Sequence, residues 1–386
     1  NPGPDGPGAG GADGGDDSLD FDGVDLSDVA EDAPSGCVGG FDAATGTLSI
    51  EIAASVVRLA VHDGVVQANG VDCESEGGDP AKADQVASLS ISGSAGDDAL
   101  YLDLSEGAFS AAFAEDGAIS VALGGGNDRV TVLGTNEADS IALGSDGDKL
   151  VVDLNGDARV DLTIDGAPAI VLSTGAKKDE VRGDGAALGV DPAALPLTLY
   201  GGGSGDSLVG GAAADHLFGG IGNDWFDAGA APAGADSFDG GDGTDTIDFS
   251  ARSKPLTITM GAGADDGEEG EGAEIADSVE ALWGGQDTNT ISGGPNSNQI
   301  WGGPLADAIS GGEGDDVING GEGDDVISGG EGDDYIYGEA GDDVLKGEAG
   351  DDLLDGREGK NTLDGGPGDA DICNVGDKGT AVNCEI

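Results

Sequence analysis

Gly311–Asn319 reads GGEGDDVIN, Gly320–Ser328 GGEGDDVIS and Gly329–Tyr337 GGEGDDYIY. GEAGDDVLK follows at Gly338–Lys346 and GEAGDDLLD at Gly347–Asp355, without a gap. Working outward, ten unbroken nine-residue units run from Gly284 to Cys373. Their eighth positions are Ile291, Ile300, Ile309, Ile318, Ile327, Ile336, Leu345, Leu354, Leu363 and Ile372. One inward aliphatic per unit is too sparse for a globular core. It suits a thin solenoid in which each unit gives one short strand and one tight turn. The glycines permit positive φ and close backbone approach in the turn. The last three residues of a unit alternate out, in, out, as a strand requires.

The sixth positions of the five most regular units are Asp316, Asp325, Asp334, Asp343 and Asp352. The pattern G-G-x-G-x-D-x-U-x resembles the RTX-type, hemolysin-type calcium-binding β-roll proteins of bacteria. The resemblance implies an all-β fold, a right-handed parallel β-roll or β-helix solenoid, with two nonapeptides per coil. It also implies calcium ions between successive turns, bridged by position-six carboxylates and turn carbonyls. Asp316, Asp334 and Asp352 are then expected along one edge, and Asp307, Asp325 and Asp343 along the other. Calcium–oxygen distances of about 2.3–2.6 Å put opposed ligands roughly 5 Å apart, close to the strand spacing of about 4.8 Å. Without the ion, carboxylates at that spacing repel. The chain is therefore expected to be loose or disordered without calcium and β-rich with it.

Upstream units are degenerate. Gly219–Asp227 and Gly240–Asp248 are full matches carrying Asp224 and Asp245, and Gly210–Phe218 keeps Asp215. Farther back, Asp98, Asp128, Asp139 and Asp148 fall in the same slot of weaker units. All of these are candidate metal ligands. Asn289 and Asn298 replace the ligand aspartate in two units, and Gly356–Asp364 carries Lys360 and Asn361. Such turns are expected to stack without calcium or to bind it weakly.

The composition agrees. Of 386 residues 77 are glycine, and 78 acidic residues against 14 basic ones leave a net charge of −64. Such a surface repels nucleic acid and anionic lipid, whereas carboxylate and carbonyl oxygens suit calcium. No apolar run is long enough to cross a membrane, so no membrane insertion is expected. Four cysteines allow three connectivities. Cys37–Cys73 and Cys373–Cys384 are favoured because each closes a short local loop, and they imply an oxidising compartment. The chain opens on Asn1 and reads as a mature, exported chain, extracellular or at a bacterial cell surface.

The organisation expected is a Gly/Asp/Pro-rich tail over 1–36, a β-rich cap over 37–92 and a degenerate solenoid over 93–200. Calcium-binding repeats over 201–248 follow, then an insertion over 249–283 whose acidic loop, Gly261–Gly272, should be solvated. The ten-unit β-roll and a terminal cap over 374–386 complete the chain. Asp20–Glu31 spans the length of an EF-hand loop, but Val24 and Asp25 occupy the wrong slots. His62, His216 and the absence of nucleophile or metalloprotease motifs give no catalytic constellation. Trp225, Trp283 and Trp301 fall at strand positions and suit packing better than a sugar platform. The function expected is a calcium-folded structural protein, with head-to-tail self-association into filaments at its open ends. An adhesin or the folding module of an enzyme are the alternatives.

Overall fold

The computed structural model describes residues 38–52, 56–62, 65–74, 78–105, 119–135, 137–166, 168–261, 263, 266–367, 370–376 and 378–385. Among these the only helical element is a 3-10 turn at Ala83–Gln85. The rest is strand, turn or irregular backbone, the glycines serving the turns and the Val, Ile and Thr positions the strands.

Strands stack in a solenoid with two faces. One face is a single sheet of 17 strands running the length of the molecule. The other face is a sheet of 10 strands in the first part and of 7 strands in the last. The regular repeats show how a coil is made. Val317–Glu322 pairs in parallel with Tyr335–Ala340 on one face, and Val326–Glu331 pairs with Val344–Ala349 on the other. Each partner lies two nonapeptides on. One coil is therefore two units, with a tight turn at each edge.

Register keeps the eighth position inward. Ile318 stacks on Ile336 and Ile327 on Leu345, and all four are fully buried. Ile372 departs from the expected pattern, being 57% exposed. It pairs with Leu353, while Cys373 pairs with the buried Leu354. The last unit holds one residue more before its strand, which rotates its side chains by one place. The inward slot is filled by Cys373, whose disulfide to Cys384 closes this end. Cys73 is disulfide-bonded; the partner expected for it, Cys37, lies outside the described residues, as do the expected tail and Asp20–Glu31.

Two further regions differ from expectation. Within 93–200, Ser140–Asp146 and Lys149–Asp153 form an antiparallel hairpin set into the long sheet. Residues 249–283 hold the extra strand that Pro255–Met260 suggests, at Leu256–Thr259, but the acidic loop after it is not fully solvated. Leu256–Thr259 starts the 7-stranded sheet, Glu274–Ile275 ends the 10-stranded one, and Ala281–Trp283 is a rung of the long sheet. Within the acidic loop, Glu268 and Glu271 turn inward onto Arg252, which is 1% exposed. Both carboxylate oxygens of Glu271 accept from its guanidinium at 2.9 and 2.7 Å. Asp266 accepts the N–H groups of Thr259 and Ile275. A buried, bidentate partner for Glu271 and two main-chain donors for Asp266 explain why these acids leave water.

Candidate metal centre

The sixth residue of each unit ends the turn and precedes the strand. Its side chain points along the solenoid axis toward the neighbouring coil. On one edge, the main-chain N–H of Asp316 donates to Oδ1 of Asp334 at 2.9 Å, and that of Asp334 to Asp352 at 2.9 Å. On the other, Asp307 donates to Asp325 at 2.8 Å and Asp325 to Asp343 at 3.0 Å. One oxygen of every ladder carboxylate is thus spent on tying two coils together.

The second oxygen is left over. Oδ2 of Asp307, Asp316, Asp325, Asp334, Asp343 and Asp352 is buried and has no hydrogen-bond partner. The same holds upstream for Asp179, Asp206, Asp224 and Asp245. All ten residues are at most 3% exposed. Buried polar groups are almost always paired, and an unsatisfied charged one costs about 1–3 kcal/mol or more. A single buried aliphatic per unit contributes about 1.5–3 kcal/mol. The orphaned oxygen is therefore large enough to decide whether a coil is stable.

A cradle sits beside each orphan. A β-carbon built on Gly320 would collide with Oδ2 of Asp325 and lie 3.1 Å from the carbonyl oxygen of Gly338. At Gly329 it would meet Oδ2 of Asp334 and lie 2.8 Å from the Gly347 carbonyl. The missing side chain of the first glycine leaves room where a carboxylate oxygen and the next coil's carbonyl converge. No group of three His, Cys, Asp or Glu side chains forms a metal cluster among the described residues. An ion held here draws most of its ligands from the main chain. Hard carbonyl and carboxylate oxygens in a flexible turn suit calcium.

Burial also raises the pKa values of these groups. It pushes Asp206 up to about 8, and Asp245, Asp316 and Asp325 to about 7. Asp179, Asp307 and Asp334 rise to about 6 for the same reason. Neighbouring carboxylates in the ladder add to the rise at Asp316, Asp325 and Asp334. Loss of water disfavours a lone charge, which a divalent cation would reverse.

Not every candidate joins this group. Asp215 stands in an opposite-edge run, its Oδ1 accepting Leu197 N–H and its own N–H donating to Asp236. Its Oδ2, however, accepts the Gly211 N–H. Oδ2 of Asp98 and Asp139 likewise accept from Ser94 and Thr135, four residues earlier. These three carboxylates close their own turns. Asp128 receives the Asp98 N–H and is half-buried, and Pro168 holds the next slot with no acceptor. Asp148 is exposed in the turn between Ser140–Asp146 and Lys149–Asp153, away from either ladder. Its local spacing fits the repeat, but the chain reverses direction there instead of coiling on.

The structure also adds residues. Asp139, Asp179, Asp206, Asp224 and Asp245 form one run of N–H to carboxylate bonds, ending at Glu280. Asp206 was legible, since Gly201–Val209 reads GGGSGDSLV with aspartate sixth. Asp179 lies in Thr174–Arg182, TGAKKDEVR, which keeps slots six and eight but only one glycine. Asp371 receives the Asp352 N–H, one residue late because of the inserted position.

The family model for the RTX calcium-binding nonapeptide repeat (4 copies) matches residues 200–231, 233–251, 283–304, 301–336, 310–345 and 337–372. No curated protein matches the chain. Nine of the ten orphaned carboxylates fall within the matched segments, Asp179 being the exception. With the parallel two-face solenoid and its periodic turn carboxylates, this match identifies residues 200–251 and 283–372 as RTX-type calcium-binding nonapeptide repeats.

Proposed function

We propose that the protein is a non-catalytic, extracellular structural element whose solenoid is set and stiffened by calcium at its ladder aspartates. The observation that carries this is the two edge columns of buried carboxylate oxygens without a partner. Their ligands in this reading are Asp224 and Asp245 and the six from Asp307 to Asp352, with Asp206 added. A chain kept loose where calcium is scarce and folded where it is abundant fits export followed by assembly outside the cell. Its last rung, Lys378–Val382, is exposed along its whole length and stands at the end of its sheet. An open edge of this kind supports end-to-end association.

Circular dichroism across a calcium titration from excess chelator tests the folding role. The expected result is a rise in β signal with calcium, and an unchanged spectrum in chelator sinks it. Electron microscopy in calcium tests assembly. Monodisperse single particles at high concentration would exclude the filament.

A second reading, a calcium-stiffened binding module, rests on Trp283 and Trp301. They are 40% and 37% exposed and stand edge to face with centroids 5.8 Å apart. Trp225 packs edge to face on Trp283 at 5.2 Å. Intrinsic fluorescence of the calcium-loaded protein against a panel of soluble glycans distinguishes this reading. Quenching lost in Trp301→Ala supports it, and no response to any glycan opposes it.

A further inference from the structure

The column on the edge of Asp307, Asp325 and Asp343 begins and ends on asparagine. The main-chain N–H of Asn289 donates to Asp307 Oδ1 at 2.6 Å, and the N–H of Asp343 donates to Asn361 Oδ1 at 2.9 Å. Asn361 therefore keeps the ladder bond that an aspartate makes. The difference lies in the second atom. In the three aspartates it is an oxygen with no partner. In Asn361 it is Nδ2, which donates to the carbonyls of Gly356 at 2.7 Å, Val375 at 3.3 Å and Glu358 at 3.4 Å.

Asn289 does the same at the other end. Its Nδ2 lies 2.8 Å from the Asp287 carbonyl, 3.1 Å from that of Gly302 and 3.3 Å from that of Gly285. It is also 3.0 Å from Oδ1 of Asp307. One amide nitrogen sits among four oxygens, three of them main-chain. An amide group has only two protons to share among them. Such a shell is one in which a small cation would be at home. The carbonyls of Gly302 and Val375 come from the first position of the next coil, as the Gly338 carbonyl does beside Asp325.

We propose that Asn289 and Asn361 are built-in replacements for calcium. Each places an NH2 group among oxygens that an aspartate would need a metal ion to bridge. The two coils then close without an ion, and the calcium column between them is limited to the sites of its three aspartates. Asparagine alone does not produce this. Asn298, in the opposite column, accepts the Gly294 N–H with its oxygen and reaches only the Glu280 carbonyl, at 3.5 Å.

The inference rests on the reading that ladder aspartates hold calcium, and its test separates the two. Bound calcium per chain is counted by equilibrium dialysis for the full chain, for Asn361→Asp and for Asn289→Asp. Thermal melts are recorded in calcium and in chelator. The expected result is one additional ion per substitution, with a lower melting temperature in chelator and recovery in calcium. An unsubstituted chain that binds no calcium defeats the underlying reading. Calcium binding by that chain, with neither variant gaining an ion or changing its melt in chelator, overturns the replacement role alone. If one variant fails to fold in chelator but folds in calcium, the proposal stands, because the plug has become a metal-dependent site.

Discussion

The main-chain N–H of Asp325 donates to Oδ1 of Asp343, one full coil on, at 3.0 Å, while Oδ2 of Asp343 meets no donor. One carboxylate thus has a structural oxygen and a metal-facing oxygen, and substitutions can separate them. Asp343→Asn keeps an acceptor for Asp325 and removes the buried charge. Asp343→Ala leaves a buried N–H unsatisfied, which costs about 1–3 kcal/mol. In excess chelator, Asp343→Asn should melt above the unsubstituted protein and above Asp343→Ala. In calcium both should bind fewer ions. Equal melts for the two variants in chelator would show that the ladder bond contributes nothing.

Acidification should stabilise the metal-free solenoid. Burial raises the folded-state pKa of Asp206 to about 8, of Asp316 and Asp325 to about 7, and of Asp307 and Asp334 to about 6. The unfolded value is near 3.9. The folded form thus binds more protons in this window, and stability falls as pH rises. The contribution is complete below about pH 4 and is lost as pH climbs through about 6 to 8. In chelator, β signal by circular dichroism should be greater near pH 5 than near pH 8, and calcium should abolish the difference. A flat profile in chelator would contradict the burial of these acids.

Much of this was legible in the sequence because the repeat ties one aspartate and one aliphatic to each turn. The two edges follow from spacing alone once a coil is two units. Spacing does not report direction, so Asp148, which keeps its slot, sits in a hairpin turn instead. Nor does it report insertions, so Ile372 faces out where Cys373 faces in. The acidic loop gave no sign of its partner, because Arg252 lies outside it and approaches only in the folded chain. The asparagines read as losses of a ligand. Only the three-dimensional shell around each nitrogen shows that the amide supplies what the aspartate lacks.

The cradle can be closed with a single methyl group. Gly320→Ala places a β-carbon against Oδ2 of Asp325 and the Gly338 carbonyl. Both belong to the scaffold, so neither moves cheaply. The variant should lose one bound ion and melt at a lower temperature in calcium. Gly125→Ala is the control, since nothing lies within 4 Å of its β-carbon and its backbone is not left-handed. It should retain both the ion count and the melt. A Gly320→Ala protein with full calcium occupancy would place the ions elsewhere.

Core substitutions should separate packing from metal. Ile336 is fully buried between its stacked neighbours Ile318 and Leu354. Ile336→Ala removes buried methylenes and leaves a cavity, a change that costs about 2–5 kcal/mol. That loss should be felt in calcium, because an ion at the edge cannot refill the space between two sheets. Ile372→Ala deletes the same atoms from a side chain that is 57% exposed, so its effect should stay within about 0.5 kcal/mol. Chemical denaturation of both variants in saturating calcium measures the difference. Equal losses would mean that Ile372 packs inward after all and that the last coil keeps the nine-residue register of those before it.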